Sequence, residues 1–179
     1  MPRWFFASVA SLAMLTWARR DFSPILDGTS RACAGGMPGA ARFEDLLAWQ
    51  RAHELHLEIW KATDCLPPGR DRRFTDQIRD ASESAGRNVA EGFGRFNPNE
   101  FAYFLGIARA SLQETKALLK KGVDVGYWSD RDFGRLDSLA NRALQSVAKF
   151  QRYLRSPQAK RNAEQRYRRA AHPETGRTR

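Results

Sequence analysis

Residues 130–154 read DRDFGRLDSLANRALQSVAKFQRYL. The apolar positions Phe133, Leu136, Ala140, Ala143, Val147, Phe150 and Leu154 are spaced 3-4-3-4-3-4. A period near 3.5 is one packing stripe of an α-helix; a strand would alternate at every second residue. Ser129 precedes the stripe as an N-cap, and Asp130 and Asp132 fall in the first turn, where acids meet the positive pole. Ser156-Pro157 marks the far end.

The same grammar runs upstream. A third helix is announced by Asn97 as cap, Pro98 at the first position and Glu100 at the third. Its seam is Phe101, Leu105, Ala108, Leu112, Thr115 and Leu119, and Lys120-Lys121-Gly122 reads as its end. A second helix, about Asp71 to Glu91, carries Phe74, Ile78, Ala81, Ala85 and Val89. Gly92 and Gly94 read as a terminating turn that takes positive φ. A first helix, about Glu44 to Cys65, carries Ala48, Ala52, Leu55, Ile59, Ala62 and Leu66, and Pro67-Pro68-Gly69 stops it. Four such helices with short connections predict an all-α, up-down-up-down antiparallel four-helix bundle over 43–155. Trp49, Trp60, Phe93, Phe96, Phe104, Ile107, Tyr127 and Trp128 lie outside the seams. They exceed what one bundle needs and predict an oligomer, with Trp49, Trp60, Phe93, Phe104 and Ile107 as the expected interface.

Composition bounds the rest. The chain has 179 residues, 42% hydrophobic and 28% charged, as in a soluble globular domain. The two cysteines, Cys33 and Cys65, exclude a disulfide scaffold or zinc ribbon and fit a reduced, cytoplasmic compartment. Trp4 to Trp17 is an apolar run of 14 residues, too short for a bilayer that needs about 20. Arg19 and Arg20 follow it, the wrong polarity for export. Residues 1–42 are therefore expected to be a disordered or non-native extension, with Met37 as the start, and no membrane partner is expected.

The net charge is +10, which predicts a polyanionic partner, most often nucleic acid. The surplus is uneven. Residues 155–179 hold eight basic and two acidic residues, whereas 37–154 hold 18 and 16. Residues 156–179 read as a basic tail, either a charged helical extension or disorder. Either it is a non-specific solubilising tail, or Arg161, Arg166, Arg168 and Arg169 contact phosphates with Tyr167 among them for base stacking. In the bundle, Arg79, Glu83, Arg87 and Glu91 form an i,i+4 ladder. That ladder is either a solvated charge network or a means of presenting Arg79, Arg87 and Arg95 to phosphates. Arg70, Arg72 and Arg73 crowd the wrong pole of the second helix.

His53 and His56 are spaced for one helix face, but no set of inward carboxylates accompanies them, so they read as interface histidines rather than metal ligands. Cys65 reads as a filler. His172 sits in the tail. No acid, base or metal set converges, so a non-enzymatic protein without cofactor or metal is expected.

Phe43-Glu44-Asp45-Leu46-Leu47-Ala48-Trp49-Gln50-Arg51-Ala52 resembles the opening of proteins encoded in intervening sequences of bacterial 23S ribosomal RNA genes. Gln77-Ile78-Arg79, then Asn88-Val89-Ala90-Glu91-Gly92-Phe93-Gly94-Arg95, is similar to that family's most recognisable segment. The third-helix motif is resembled by Phe104 to Thr115, including Ser111 and Glu114. The likeness spans Phe43–Leu154. Departures are Asp80 for a basic residue, Ser84-Ala85-Gly86-Arg87 for Ser-Ile-Pro-Ser, and Ala110-Ser111 for Gly-Ser. The resemblance implies a bundle assembling as a ring-like pentamer without enzymatic activity. It also implies kinship with accessory variability determinant proteins of diversity-generating retroelements, which bind a reverse transcriptase and its template RNA. An RNA-binding accessory protein is thus expected; the rival is a protein-interaction scaffold that binds no nucleic acid.

Overall fold

The computed structural model describes residues 40–66, 71–95 and 97–171. Among them there is no strand. A 3-10 turn, Phe43–Asp45, leads into α1 (Leu47–Asp64), α2 (Arg72–Phe93), α3 (Pro98–Asp124), α4 (Asp130–Leu154) and α5 (Pro157–Ala171). α1 packs on α2 and α4, α3 packs on α2 and α4, and α5 lies against α4 and α3.

The apolar seams become the core. Ala52, Leu55, Ile78, Ala85, Val89, Leu105, Ala108, Leu112, Leu119, Leu136, Ala140, Ala143, Val147 and Leu154 are all fully shielded. Each large aliphatic among them contributes roughly 1.5–3 kcal/mol of burial. Alanines at Ala52, Ala85, Ala108 and Ala143 let the helices approach closely. Gln151 is a polar member of this interior. Its Nε2 donates to Ala102 O at 2.8 Å and its Oε1 accepts from Arg109 Nη1 at 3.1 Å, tying α3 to α4.

The helix ends depart from the sequence reading in three places. First, α1 starts at Leu47 rather than Glu44. Asp45 Oδ2 accepts from Ala41 N and Arg42 N, which closes a separate turn, and Leu46 is then extended (ψ 122°) before α1 begins. Second, Gly92 does not terminate α2 by positive φ. It lies inside the helix, and Gly94 has φ −68°. Gly92 is small because the Phe101 ring lies against it: an added methyl would overlap that ring and come within 3.1 Å of Phe104 Cβ. Third, α3 runs past Gly122 to Asp124. Trp128 covers Gly122 and donates from Nε1 to Leu119 O at 3.0 Å. The left-handed residue of this turn is Gly126 (φ 72°), and Tyr127 N donates back to Gly122 O at 2.8 Å.

The caps at Ser129 and Asn97 form as expected, accepting from Asp132 N and Asn99 N. Asp71 caps α2 from a left-handed conformation (φ 43°); its Oδ1 accepts from Phe74 N and its Oδ2 from the Tyr127 hydroxyl, both at 3.0 Å. Tyr127 and Trp128 close this end of the core around Phe74, so they are not spare surface aromatics. Of the tail, 157–171 is helical. α5 seats Ala159 in the interior, and Asn162 Nδ2 donates to the Tyr153 hydroxyl at 3.2 Å. Residues 1–39, Arg70, Phe96 and His172 lie outside the described residues, and so does the expected start at Met37.

Candidate functional site

One aromatic stripe follows the α1–α2 seam. Phe43 meets Trp49 edge-on at 5.3 Å, Trp49 stacks on His53 at 4.6 Å, and His56 meets Trp60 edge-on at 5.9 Å. Arg79 ends the stripe, its guanidinium 4.0 Å from the Trp60 ring centre. Burial pushes both histidines below their ordinary value of 6.5. For His56, the nearby Glu83 carboxylate opposes this, while His53 and Arg79 add to it. Ser82 Oγ lies 2.8 Å from Arg79 O, to which it can donate, and 3.0 Å from His56 Nδ1, which ties α1 to α2. The two rings are packing and hydrogen-bonding groups; no group of three His, Cys, Asp or Glu side chains able to hold a metal occurs among the described residues.

The arginines expected to face phosphate do not share one face. Each four-residue step along a helix rotates about 40°, so Arg79 and Arg87 diverge by roughly 80° around α2, and Arg95 lies beyond the helix, which ends at Phe93. Arg79 leaves the ladder for α1: its Nε donates to Thr63 Oγ1 at 2.8 Å and Asp64 lies at 3.8 Å. Arg87 stays exposed with Glu83 at 3.8 Å. Arg95 pairs with Glu91 and lies over Phe104, 5.0 Å from its centre. All three charges are thus matched within the bundle.

Around them, the motif positions hold α2 to α3. Asn88 Nδ2 donates to Ser84 O at 2.8 Å and Ser84 Oγ lies 2.9 Å from Ser111 Oγ. Ala90 is half-buried and Glu114 exposed. Among the expected interface residues, Trp49 and Phe93 pack against the core, Phe104 and Ile107 are half-buried, and Trp60 is 47% exposed. Tyr103, 67% exposed and edge-on to Phe104 at 5.7 Å, is a surface aromatic that the seam pattern did not single out. It directly precedes Phe104 in the sequence, which was the available signal.

A different region concentrates unmatched positive charge. From Lys149 to Arg169 there are eight Lys and Arg residues against Glu164 alone. Lys149, Arg152, Arg155, Lys160 and Arg168 are exposed, and none has a carboxylate within ion-pair distance among the described residues. Arg161 donates only to the neutral Gln158 Oε1, at 2.9 Å. Arg166, Tyr167 and Arg169 lie on the α5 backbone, and their side chains are outside the description.

Compared with known families, the chain matches the 23S rRNA-intervening sequence protein family over residues 44–149. It belongs to that family. The match covers α1 to α3 and most of α4. The cationic α5 lies beyond the matched segment. No curated protein matches the chain. Among the described residues, no helix is long and apolar enough to cross a membrane.

Proposed function

We propose that this intervening-sequence protein is a non-enzymatic, RNA-binding accessory protein of a reduced, cytoplasmic compartment. In this reading a four-helix core assembles the oligomer and the α4–α5 end contacts the RNA backbone. The observation that carries it is the run of eight cations against Glu164 alone, of which Lys149, Arg152, Arg155, Lys160, Arg161 and Arg168 are exposed and make no ion pair among the described residues. Such groups neutralise phosphates and release counterions. Arg79, Arg87 and Arg95 are already paired and contribute less. The up-down-up-down topology is supported by contacts that run in opposite sequence sense: Trp49 with Gly86, His56 with Ser82 and Thr63 with Arg79. Exposed Trp60 and Tyr103 supply an outer apolar surface for a ring-like homopentamer.

The test is the affinity of the full chain for a labelled single-stranded 30-mer RNA against salt. The comparison is the combined variant Arg155→Glu, Lys160→Glu, Arg161→Glu, Arg168→Glu. Removing four phosphate contacts lowers the log–log salt slope by about 3 for single strands. An unchanged slope refutes the assignment. A neighbouring reverse transcriptase gene would place the protein in a retroelement; a site within a ribosomal RNA gene would give the intervening-sequence role.

The scaffold reading has one specific support, the near-balance of 18 basic and 16 acidic residues over 37–154. It predicts no RNA binding by either form.

A further inference from the structure

The α1–α4 seam is not uniform. In its lower half the ion pairs Glu58–Arg135 and Glu54–Arg142 bridge the two helices. Towards the start of α1 the helices leave an open groove. Its floor is Leu46, Leu47 and Phe150 and its rim is Arg51, Arg142 and Lys149. Leu47 is 49% exposed, an aliphatic side chain facing solvent at the head of a helix. The rim has one acid: Glu54 accepts from Arg51 Nη1 at 2.8 Å and from Arg142 Nη2 at 3.5 Å, one carboxylate divided between two guanidiniums. Lys149 has no carboxylate partner among the described residues.

We propose that this groove docks a short acidic amphipathic helix of a protein partner. The partner's leucine-like side chains would lie on Leu47 and Phe150, and its carboxylates would meet Arg51, Arg142 and Lys149. The span from Arg142 to Phe150 is about 12 Å at 1.5 Å per residue, so the occupant is a segment of two to three turns. An apolar floor with a rim of three cations and one shared carboxylate suits the helix-in-groove mode of recognition. Nucleic acid fits this groove less well. The aromatic group in the floor, Phe150, is already engaged edge-on by Phe101 at 5.0 Å and lies parallel to Tyr153 at 6.4 Å, leaving aliphatic carbon where a base would need a ring. The groove shares only Lys149 with the cationic run assigned to RNA, and the fourfold α5 variant leaves Lys149 in place, so the two assignments can fail separately.

The probe is a fluorescein-labelled, stapled 14-residue helix with leucines at i, i+4 and i+7 flanked by glutamates. Its companion carries lysines in place of the glutamates. Anisotropy is measured with the full chain. The acidic peptide is expected to bind at least about tenfold more tightly than the basic one, a difference near 1.4 kcal/mol. L47E and K149E should each weaken it about tenfold or more. Both positions are exposed, so folding is retained and is checked by circular dichroism. The fourfold α5 variant should bind the peptide as the parent does. No binding, equal binding of both peptides, or binding lost only in the α5 variant overturns the proposal. Loss of self-association in L47E would make the occupant a second copy, and loss of RNA binding in L47E would make the groove an RNA site. Either result replaces the partner helix.

Discussion

Three glycines inside helices make opposite predictions for one substitution. At Gly92, alanine places a methyl in the Phe101 ring. The ring cannot swing away, because it is 2% exposed and held edge-on against Phe150 at 5.0 Å. Overpacking of this kind costs about 1–3 kcal/mol. The gain in helix propensity, at most ~1 kcal/mol, offsets part of it. Gly92→Ala should therefore destabilise by about 1–2 kcal/mol, lowering Tm by roughly 3–8 °C for a domain of this size. Gly122→Ala should be worse. Its methyl overlaps Trp128, and moving that ring also breaks the 3.0 Å bond from Nε1 to Leu119 O. At Gly134, nothing lies within 4 Å of the added methyl. There alanine should stabilise by about 0.5–1 kcal/mol through reduced unfolded-state entropy. The assay is thermal unfolding of all three variants at one protein concentration. A Gly92→Ala protein as stable as the parent, or a Gly134→Ala protein less stable than it, would refute the close-approach reasoning.

Further outcomes follow from the caps, the stripe and the histidines. Asp71→Ala should cost about 1–2 kcal/mol in chemical denaturation, since it removes an N-cap, and Asp71→Asn should cost less because asparagine keeps an acceptor and tolerates positive φ. A double-mutant cycle of Arg79→Ala with Trp60→Ala should give a coupling of about 0.5–1 kcal/mol; no coupling means the 4.0 Å stack is energetically empty. His53 and His56 are held below 6.5 by burial, so the unfolded chain takes up protons that the folded chain refuses. Their contribution is fully present above about pH 6.5 and is lost as pH falls through their lower folded-state values. Denaturant midpoints should drop in that window and flatten in His53→Gln/His56→Gln. Loss seen only further down, where Glu58 and Asp71 take up protons, would point to the carboxylates instead.

Much of the fold was legible because the seams are strict. A 3-4 spacing of apolar residues leaves one face to bury, and Leu55, Leu105, Leu112 and Val147 are buried where that spacing put them. What periodicity could not give is the reason for each glycine. Gly92 and Gly122 read as stops, since glycine commonly follows a helix, yet both are gaps cut for Phe101 and Trp128 from other parts of the chain. Gly126, the left-handed residue, carried no distinguishing pattern. Gln151 was also hidden: it is a polar side chain in a packing stripe, satisfied by Ala102 O and Arg109, partners more than forty residues away in sequence.

Charge shows the same limit at the candidate site. The sequence places Arg79 four residues before Glu83, which reads as a lateral pair on α2. The folded chain offers Arg79 something better on α1: a hydroxyl acceptor at Thr63, an indole face at Trp60 and the edge of Asp64. A guanidinium binds in plane through its N–H groups and stacks through its face, so this site uses both surfaces at once. Glu83 is left to Arg87, and Glu91 to Arg95. Once those pairings are made, α2 presents little net field, whatever its arginine count. The cations at the end of α4 and on α5 have almost no acids nearby in sequence, and Lys149, Arg152, Arg155, Lys160 and Arg168 make no ion pair among the described residues. A one-signed run keeps its field after folding, whereas a mixed ladder does not. That difference, rather than the total of +10, is why the RNA assignment rests on α5 and not on the family's most recognisable segment.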